Sequence, residues 1–149
     1  MYKILFICTG NFYRSKFCEA FMENEGKVLK IPIRTMSRGF EISLANKVAS
    51  IYGETSPYTI QRLDQLGIDC GKVKKRRTPV SQYDINSNDI IVIIDKAEHS
   101  PYMENFDFPE NKTVFWEVKD IADWTAKETL DELEKSCHKL SFKLWGEYF

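Results

Sequence analysis

Two rhythms of hydrophobic and polar positions run along this chain. Lys3 to Cys8 reads KILFIC, continuously apolar through its middle and partly β-branched, and it stops at Thr9-Gly10-Asn11. That is the pattern of a strand buried on both faces, as in a parallel sheet. From Ser15 the spacing turns helical: Phe17, Cys18, Phe21 and Met22 share one face, Glu19, Glu23 and Asn24 lie opposite, and Gly26 offers a C-terminal stop. Ile31 to Met36 predicts a second strand, and Pro32 sets it near an edge or at a strand start. Residues 40–55 follow neither rhythm. Ser56-Pro57 reads as an N-cap followed by proline at the first helical position, opening a helix through Ile60, Leu63 and Leu66 that stops at Gly67. Asp89 to Asp95, DIIVIID, is the clearest buried strand, and Thr113 to Val118 predicts a fourth. Thr129 to Leu144 is amphipathic, with Leu130, Leu133, Cys137, Leu140 and Leu144 along one face.

Strands alternating with helices predict an α/β fold: a doubly wound, four-stranded parallel sheet with helices on both faces. The 149 residues read as one domain spanning 1–149, with no internal repeat, linker or low-complexity tract. A chain of this size buries roughly two-thirds of the surface exposed by its unfolded form, so it needs no disulfide or metal staple. Twenty-one Lys and Arg against 22 Asp and Glu leave a net charge of −1, which argues against a general nucleic-acid binder. No apolar run approaches the ~18 residues of a membrane span, and no charged-then-apolar leader is visible. The expectation is a soluble, cytoplasmic chain without nucleic-acid or membrane partners.

Four cysteines (Cys8, Cys18, Cys70 and Cys137) form no CxxC pair, and the two histidines, His99 and His138, stand far apart. Zinc-ribbon and thioredoxin-type chemistry are therefore disfavoured, no metal site is expected, and each cysteine is either core filler or a reactive thiol. Cys18 and both histidines read as packing or surface residues. The basic run Lys74-Lys75-Arg76-Arg77 reads as a solvated face.

One segment has the context for chemistry: Cys8-Thr9-Gly10-Asn11-Phe12-Tyr13-Arg14-Ser15. It lies at the carboxyl end of a buried strand and opens into a helix, where an open α/β sheet places its ligand. Successive backbone N–H groups and the helix dipole make a nest for a tetrahedral dianion. Gly10 and Asn11 suit left-handed backbone. Arg14 can grip two phosphate oxygens with its planar fork. The dipole, the amides and Arg14 all favour a Cys8 thiolate, and a thiolate beneath a bound phosphate is placed for in-line attack on phosphorus. Ser15 can donate to the sulfur.

With Cys8, Gly10, Asn11, Arg14 and Ser15 matching C-x-G-N-x-x-R-S near the N-terminus, the sequence resembles the low-molecular-weight protein tyrosine phosphatases. Ser37-Arg38-Gly39 resembles the family's S-x-G segment, whose serine supports the loop asparagine. Ile90 to Asp95 resembles its strand ending in Met-Asp, with Ile94 in place of methionine. Asp120-Ile121-Ala122-Asp123-Trp124 resembles the late loop that carries the acid, with Trp124 where the family has proline. Tyr13 stands where many members carry a second cysteine, and Lys16 replaces a usual proline.

The resemblance implies a metal-independent phosphomonoester hydrolase without a cofactor. Cys8 forms a phosphocysteine, and Arg14 with the loop from Thr9 through Phe12 and Tyr13 to Ser15 stabilises the transition state. Asp123 is the expected acid, with Asp120 the other candidate. The implied partners are a phosphotyrosine protein or small aryl phosphate as substrate and inorganic phosphate as product. Phe12 favours an aryl group, because phosphoarginine-acting members carry threonine there. A phosphoarginine phosphatase, an arsenate reductase using the same loop, and a catalytically weak phosphate-binding module are the alternatives. Arsenate reduction needs resolving cysteines, and only Cys70 lies mid-chain.

Overall fold

The computed structural model describes every residue, Met1–Phe149. Four parallel strands, β1 (Tyr2–Cys8), β2 (Ile33–Gly39), β3 (Ile90–Ile93) and β4 (Thr113–Phe115), form one sheet in the order β2-β1-β3-β4. The helices are α1 (Arg14–Leu29), α2 (Asn46–Tyr52), α3 (Pro57–Gln65), α4 (Gln82–Ser87), α5 (Lys96–Met103) and α6 (Ala126–Tyr148). The strands' alternation divides the apolar residues between two layers. Ile4, Phe6 and Cys8 face a large core shared with Phe17, Leu63 and Leu133, so α1, α3 and α6 cover that side. Leu5, Ile7, Ile91 and Ile93 face a smaller core with Ile85 of α4 and Met103 of α5. The doubly wound parallel sheet expected from the sequence is thus the observed one, and the edge strand β2 starts at Ile33, just after Pro32.

Several local expectations are corrected. Gly26 does not end α1. The helix runs on to Leu29 and closes with Lys30 in the left-handed region (φ 58°). Gly26 is needed for close approach instead: a β-carbon there would lie 2.9 Å from that of Ile33. Glu19 is not on a solvated face but fully buried, for a reason given below. The stretch that followed neither rhythm holds a 3₁₀ turn, Ile42–Ala45, and then α2, none of whose residues is buried. Helices α4 and α5 carry no hydrophobic rhythm long enough to read from sequence. Both are short, and the clearest signal for α4 is a capping box between Ser81 and Asp84. Ser56 caps α3 as expected, accepting from the Tyr58 N–H at 3.2 Å.

No helix is long and apolar enough to cross a membrane.

Candidate active site

The loop from Thr9 to Tyr13 leaves β1 at Cys8 and delivers the chain to α1 at Arg14. Its carbonyls are turned outward and held: Phe40 N–H donates to Cys8 O (2.9 Å), Glu41 N–H to Thr9 O (2.9 Å), Ser56 N–H to Phe12 O (2.8 Å) and the Thr59 hydroxyl to Tyr13 O (2.9 Å). The N–H groups of Thr9 to Tyr13 donate to no other group of the chain, and those of Arg14 and Ser15 open α1 with no side-chain cap. Outward carbonyls and unclaimed amides make the anion-binding concavity expected at a helix N-terminus.

Asn11 takes the left-handed conformation (φ 51°) that short polar side chains tolerate. Gly10 does not share it. Glycine is required there because a β-carbon would come within 2.8 Å of that of Ala45.

A chain of buried hydrogen bonds fixes the loop from behind. Asn11 Oδ1 accepts from Thr78 N–H at 2.9 Å, and its Nδ2 donates to Ser15 Oγ (2.9 Å) and Ser37 Oγ (3.0 Å). Ser37 donates onward to Glu19 Oε1 at 2.5 Å, and Lys75 approaches Glu19 Oε2 at 2.8 Å. This explains the burial of Glu19, whose carboxylate is compensated by a lysine and a hydroxyl. It also corrects the reading of the basic run: Lys75 and Arg77 are engaged in ion pairs, Lys75 with Glu19 and Arg77 with Glu54. Cys8 Sγ lies 2.9 Å from Ser15 Oγ. Because Asn11 already supplies a proton to that oxygen, the serine's own proton is available to a sulfur anion.

Arg14 is 2% exposed. Its Nη1 donates to Val118 O (2.9 Å) and Glu98 Oε1 (3.2 Å), and its Nη2 donates to Glu98 Oε2 (2.7 Å), with Asp120 Oδ2 at 3.4 Å. Burial opposes the guanidinium charge, but the Glu98 hydrogen bond and the fields of Cys8 and Asp120 raise its pKa above the ordinary arginine value. Burial likewise opposes ionisation of Glu98. Hydrogen bonds from His99 and Arg14 prevail and hold that carboxyl well below the usual range. His99 Nδ1 accepts from Asp95 N–H at 3.2 Å, so its Nε2 carries the proton and faces Glu98 Oε2 (3.0 Å) and Thr9 Oγ1 (2.9 Å). The Thr9 hydroxyl also donates to Glu98. Neither Glu98 nor a role for His99 was legible from sequence, because both arrive from α5, more than 80 residues away.

A cleft of about 590 Å³ opens above Cys8 and Arg14. Phe12, Tyr13 and Tyr58 wall one part of it, Leu44, Val48 and Tyr52 another, and Asp120 with Ile121 a third. The expected acid, Asp123, is not brought into this cleft. It is exposed, and its backbone N–H turns back to Asp120 O at 3.0 Å, so the loop presents Asp120 instead. The Thr129 hydroxyl anchors that loop to α6 by donating to Lys119 O at 2.8 Å.

A profile of low molecular weight phosphotyrosine protein phosphatases matches residues 3–147. The chain belongs to that family. It therefore falls in a family of cysteine-dependent phosphatases. Among solved structures it is similar to YfkJ from Bacillus subtilis (20% identity, 99% of this chain and 96% of that one, TM-score 0.79). It is also similar to a protein tyrosine phosphatase from Entamoeba histolytica (21% identity, all of both chains, TM-score 0.76). A third is the YwlE arginine phosphatase from Geobacillus stearothermophilus (22% identity, 99% and 95%, TM-score 0.72). At these identities the likeness establishes the phosphatase-family fold. A search of curated proteins finds no match.

Proposed function

We propose that the protein hydrolyses aryl phosphate monoesters, phosphotyrosine in proteins above all, through a phosphocysteine on Cys8. The observation that carries this reading is the arrangement around Cys8 Sγ: unclaimed loop amides, a buried Arg14, and aromatic walls at Phe12, Tyr52 and Tyr58. The amides and arginine suit the three equatorial oxygens of a phosphoryl group in transfer, and rings suit a ring.

In this reading the Cys8 thiolate attacks phosphorus in line. The S–P bond forms as the P–O bond to the leaving phenol breaks. Asp120, bordering the cleft, gives its proton to the leaving oxygen. The resulting carboxylate then takes a proton from water. That water attacks phosphorus, the S–P bond breaks, and inorganic phosphate leaves. Ser15 donates to the departing sulfur. Asp120 replaces Asp123 as the proposed acid because it is the aspartate that borders the cleft. Arg14, Gly10, Asn11 and the remaining loop residues bind the phosphoryl oxygens, and Ser37 keeps Asn11 in place.

The deciding experiment compares initial rates on phosphotyrosine, phosphoserine and phosphoarginine peptides of one sequence, with Cys8→Ser as control. Preference for phosphotyrosine supports the reading. Preference for phosphoarginine, which would engage Asp120 through its guanidinium, overturns the substrate assignment. Equal rates with the serine variant overturn the mechanism.

A further inference from the structure

The geometry points to Glu98 as a positioning residue that aims the phosphate-binding edge of Arg14 by occupying its other edge. The inference rests on the phosphatase reading and adds a residue outside the phosphate-binding loop to it. A guanidinium offers two forks, one at its end between Nη1 and Nη2 and one along its side between Nε and Nη2. Here Glu98 takes the end fork with both carboxylate oxygens, at 3.2 and 2.7 Å. Val118 O takes the remaining Nη1 hydrogen at 2.9 Å. The side fork, Nε–H with the second Nη2–H, makes no hydrogen bond inside the chain except the long 3.4 Å approach of Asp120 to Nη2. A bidentate oxyanion is therefore directed to a single edge.

The same carboxylate also holds the other end of the loop. Thr9, one residue past the cysteine, donates its hydroxyl to Glu98, and Arg14 is the residue that closes the loop. His99 completes the set by facing Glu98 Oε2 at 3.0 Å while its far nitrogen is tied to the Asp95 backbone. Glu98 thus spans the loop from its first residue to its last and is itself oriented by a fully buried imidazole. It does not line the cleft, so its effect on the reaction passes through Arg14 and Thr9.

Such alignment matters most where the equatorial oxygens are planar, as in the transition state. An interaction realised more fully there than in the ground state raises the rate, and the loop amides remain to hold a ground-state phosphate when Arg14 is misaimed. The test uses the full-length chain, p-nitrophenyl phosphate as substrate, and orthovanadate and inorganic phosphate as inhibitors. Glu98→Gln and Glu98→Ala should each lower kcat/KM by about 10²-fold, the scale expected when a reacting group is displaced by about 1 Å. Inhibition by vanadate, which mimics the pentacoordinate state, should weaken by a similar factor, and inhibition by phosphate by only about threefold. In an Arg14→Lys background, where no fork remains to aim, Glu98→Gln should change the rate little. The Arg14 Nε–H resonance should shift or broaden in both Glu98 variants while the rest of the amide spectrum stays folded.

Parental kcat/KM in both Glu98 variants overturns the proposal. So does an equal loss of vanadate and phosphate affinity, or an undiminished effect in the Arg14→Lys background. If Glu98→Ala fails to fold, Glu98→Gln and the Arg14 resonance decide alone. Absence of turnover in the parent with vanadate still bound would sink the hydrolase reading, and the vanadate comparison would still decide the role of Glu98.

Discussion

Gly39 passes so close beneath Thr9 that a β-carbon on it would lie 2.7 Å from the Thr9 carbonyl oxygen and 2.9 Å from the Asn11 nitrogen. The register makes this unavoidable, because Gly39 pairs with Cys8 at the ends of neighbouring strands, where the loop departs. Both clashing atoms are backbone, so relief requires the loop itself to move. Gly39→Ala should lower kcat/KM by about 10²-fold and cost about 1–3 kcal/mol of stability through overpacking. Steady-state kinetics with thermal unfolding checks this. Parental kinetics in a folded alanine variant would mean the loop geometry tolerates displacement.

Cys8→Ser should abolish turnover of an aryl phosphate and leave phosphate binding intact, because the loop amides and Arg14 remain. Calorimetric titration with inorganic phosphate, beside an activity assay, separates the two. Turnover above contamination in the serine variant would exclude a phosphocysteine.

Asp120→Asn should cut kcat by about 10²–10⁴-fold for phenyl phosphate and less for nitrophenyl phosphates, whose leaving groups need little protonation. Asp123→Asn should leave that leaving-group dependence unchanged, since Asp123 stands outside the cleft. A reversed pattern would return the acid to Asp123.

Lys16, on α1, is fully buried, and its ammonium reaches Val73 O (2.9 Å), Lys75 O (2.5 Å), Glu54 O (3.3 Å) and Thr55 Oγ1 (3.3 Å). Burial pushes its pKa down to about 8. The side chain gathers the carbonyls of two loops that carry no regular ladder. Lys16→Met keeps the volume and strands these acceptors, so it should cost about 3 kcal/mol. Denaturant unfolding measures it, and a loss below ~1 kcal/mol would show that water replaces the ammonium.

The buried Tyr13 hydroxyl makes no hydrogen bond of ordinary geometry; burial raises its pKa to about 12 against the opposing influence of the nearby Thr129 hydroxyl. A folded pKa above the unfolded value near 10 means the folded chain keeps a proton that the unfolded chain loses. Stability from this source is complete below pH 10 and falls as pH rises from 10 through 12. Tyr13→Phe should be neutral or slightly stabilising at pH 7 and should flatten that alkaline decline. A variant clearly less stable at pH 7 would show the hydroxyl to be engaged.

How much of this was legible in the sequence depends on range. The strand KILFIC, the Gly-Asn turn, Arg14 and Ser15 are consecutive, so their chemistry could be read directly. Ser56-Pro57 announces α3 by local capping alone. The buried partners could not be read so. Glu19 looks like a solvated helix position until Lys75 and Ser37 close over it, and Glu98 becomes part of the site only when β3 sets α5 beside β1. Asp120 and Asp123 are three residues apart in an irregular loop, where no periodicity says which one turns inward.

Helix α2 contributes Val48 and Tyr52 to the cleft and yet buries no residue of its own. Opening it uncovers little apolar surface, so its amides should exchange with solvent at a free energy well below that of global unfolding, whereas those of β1 should await the whole molecule. For the same reason, amino-acid replacements along α2 are nearly free of thermodynamic penalty. This wall of the cleft can therefore diverge from one descendant to the next while the sheet and its loop stay as they are, which leaves the shape of the cleft and foldability under separate selection.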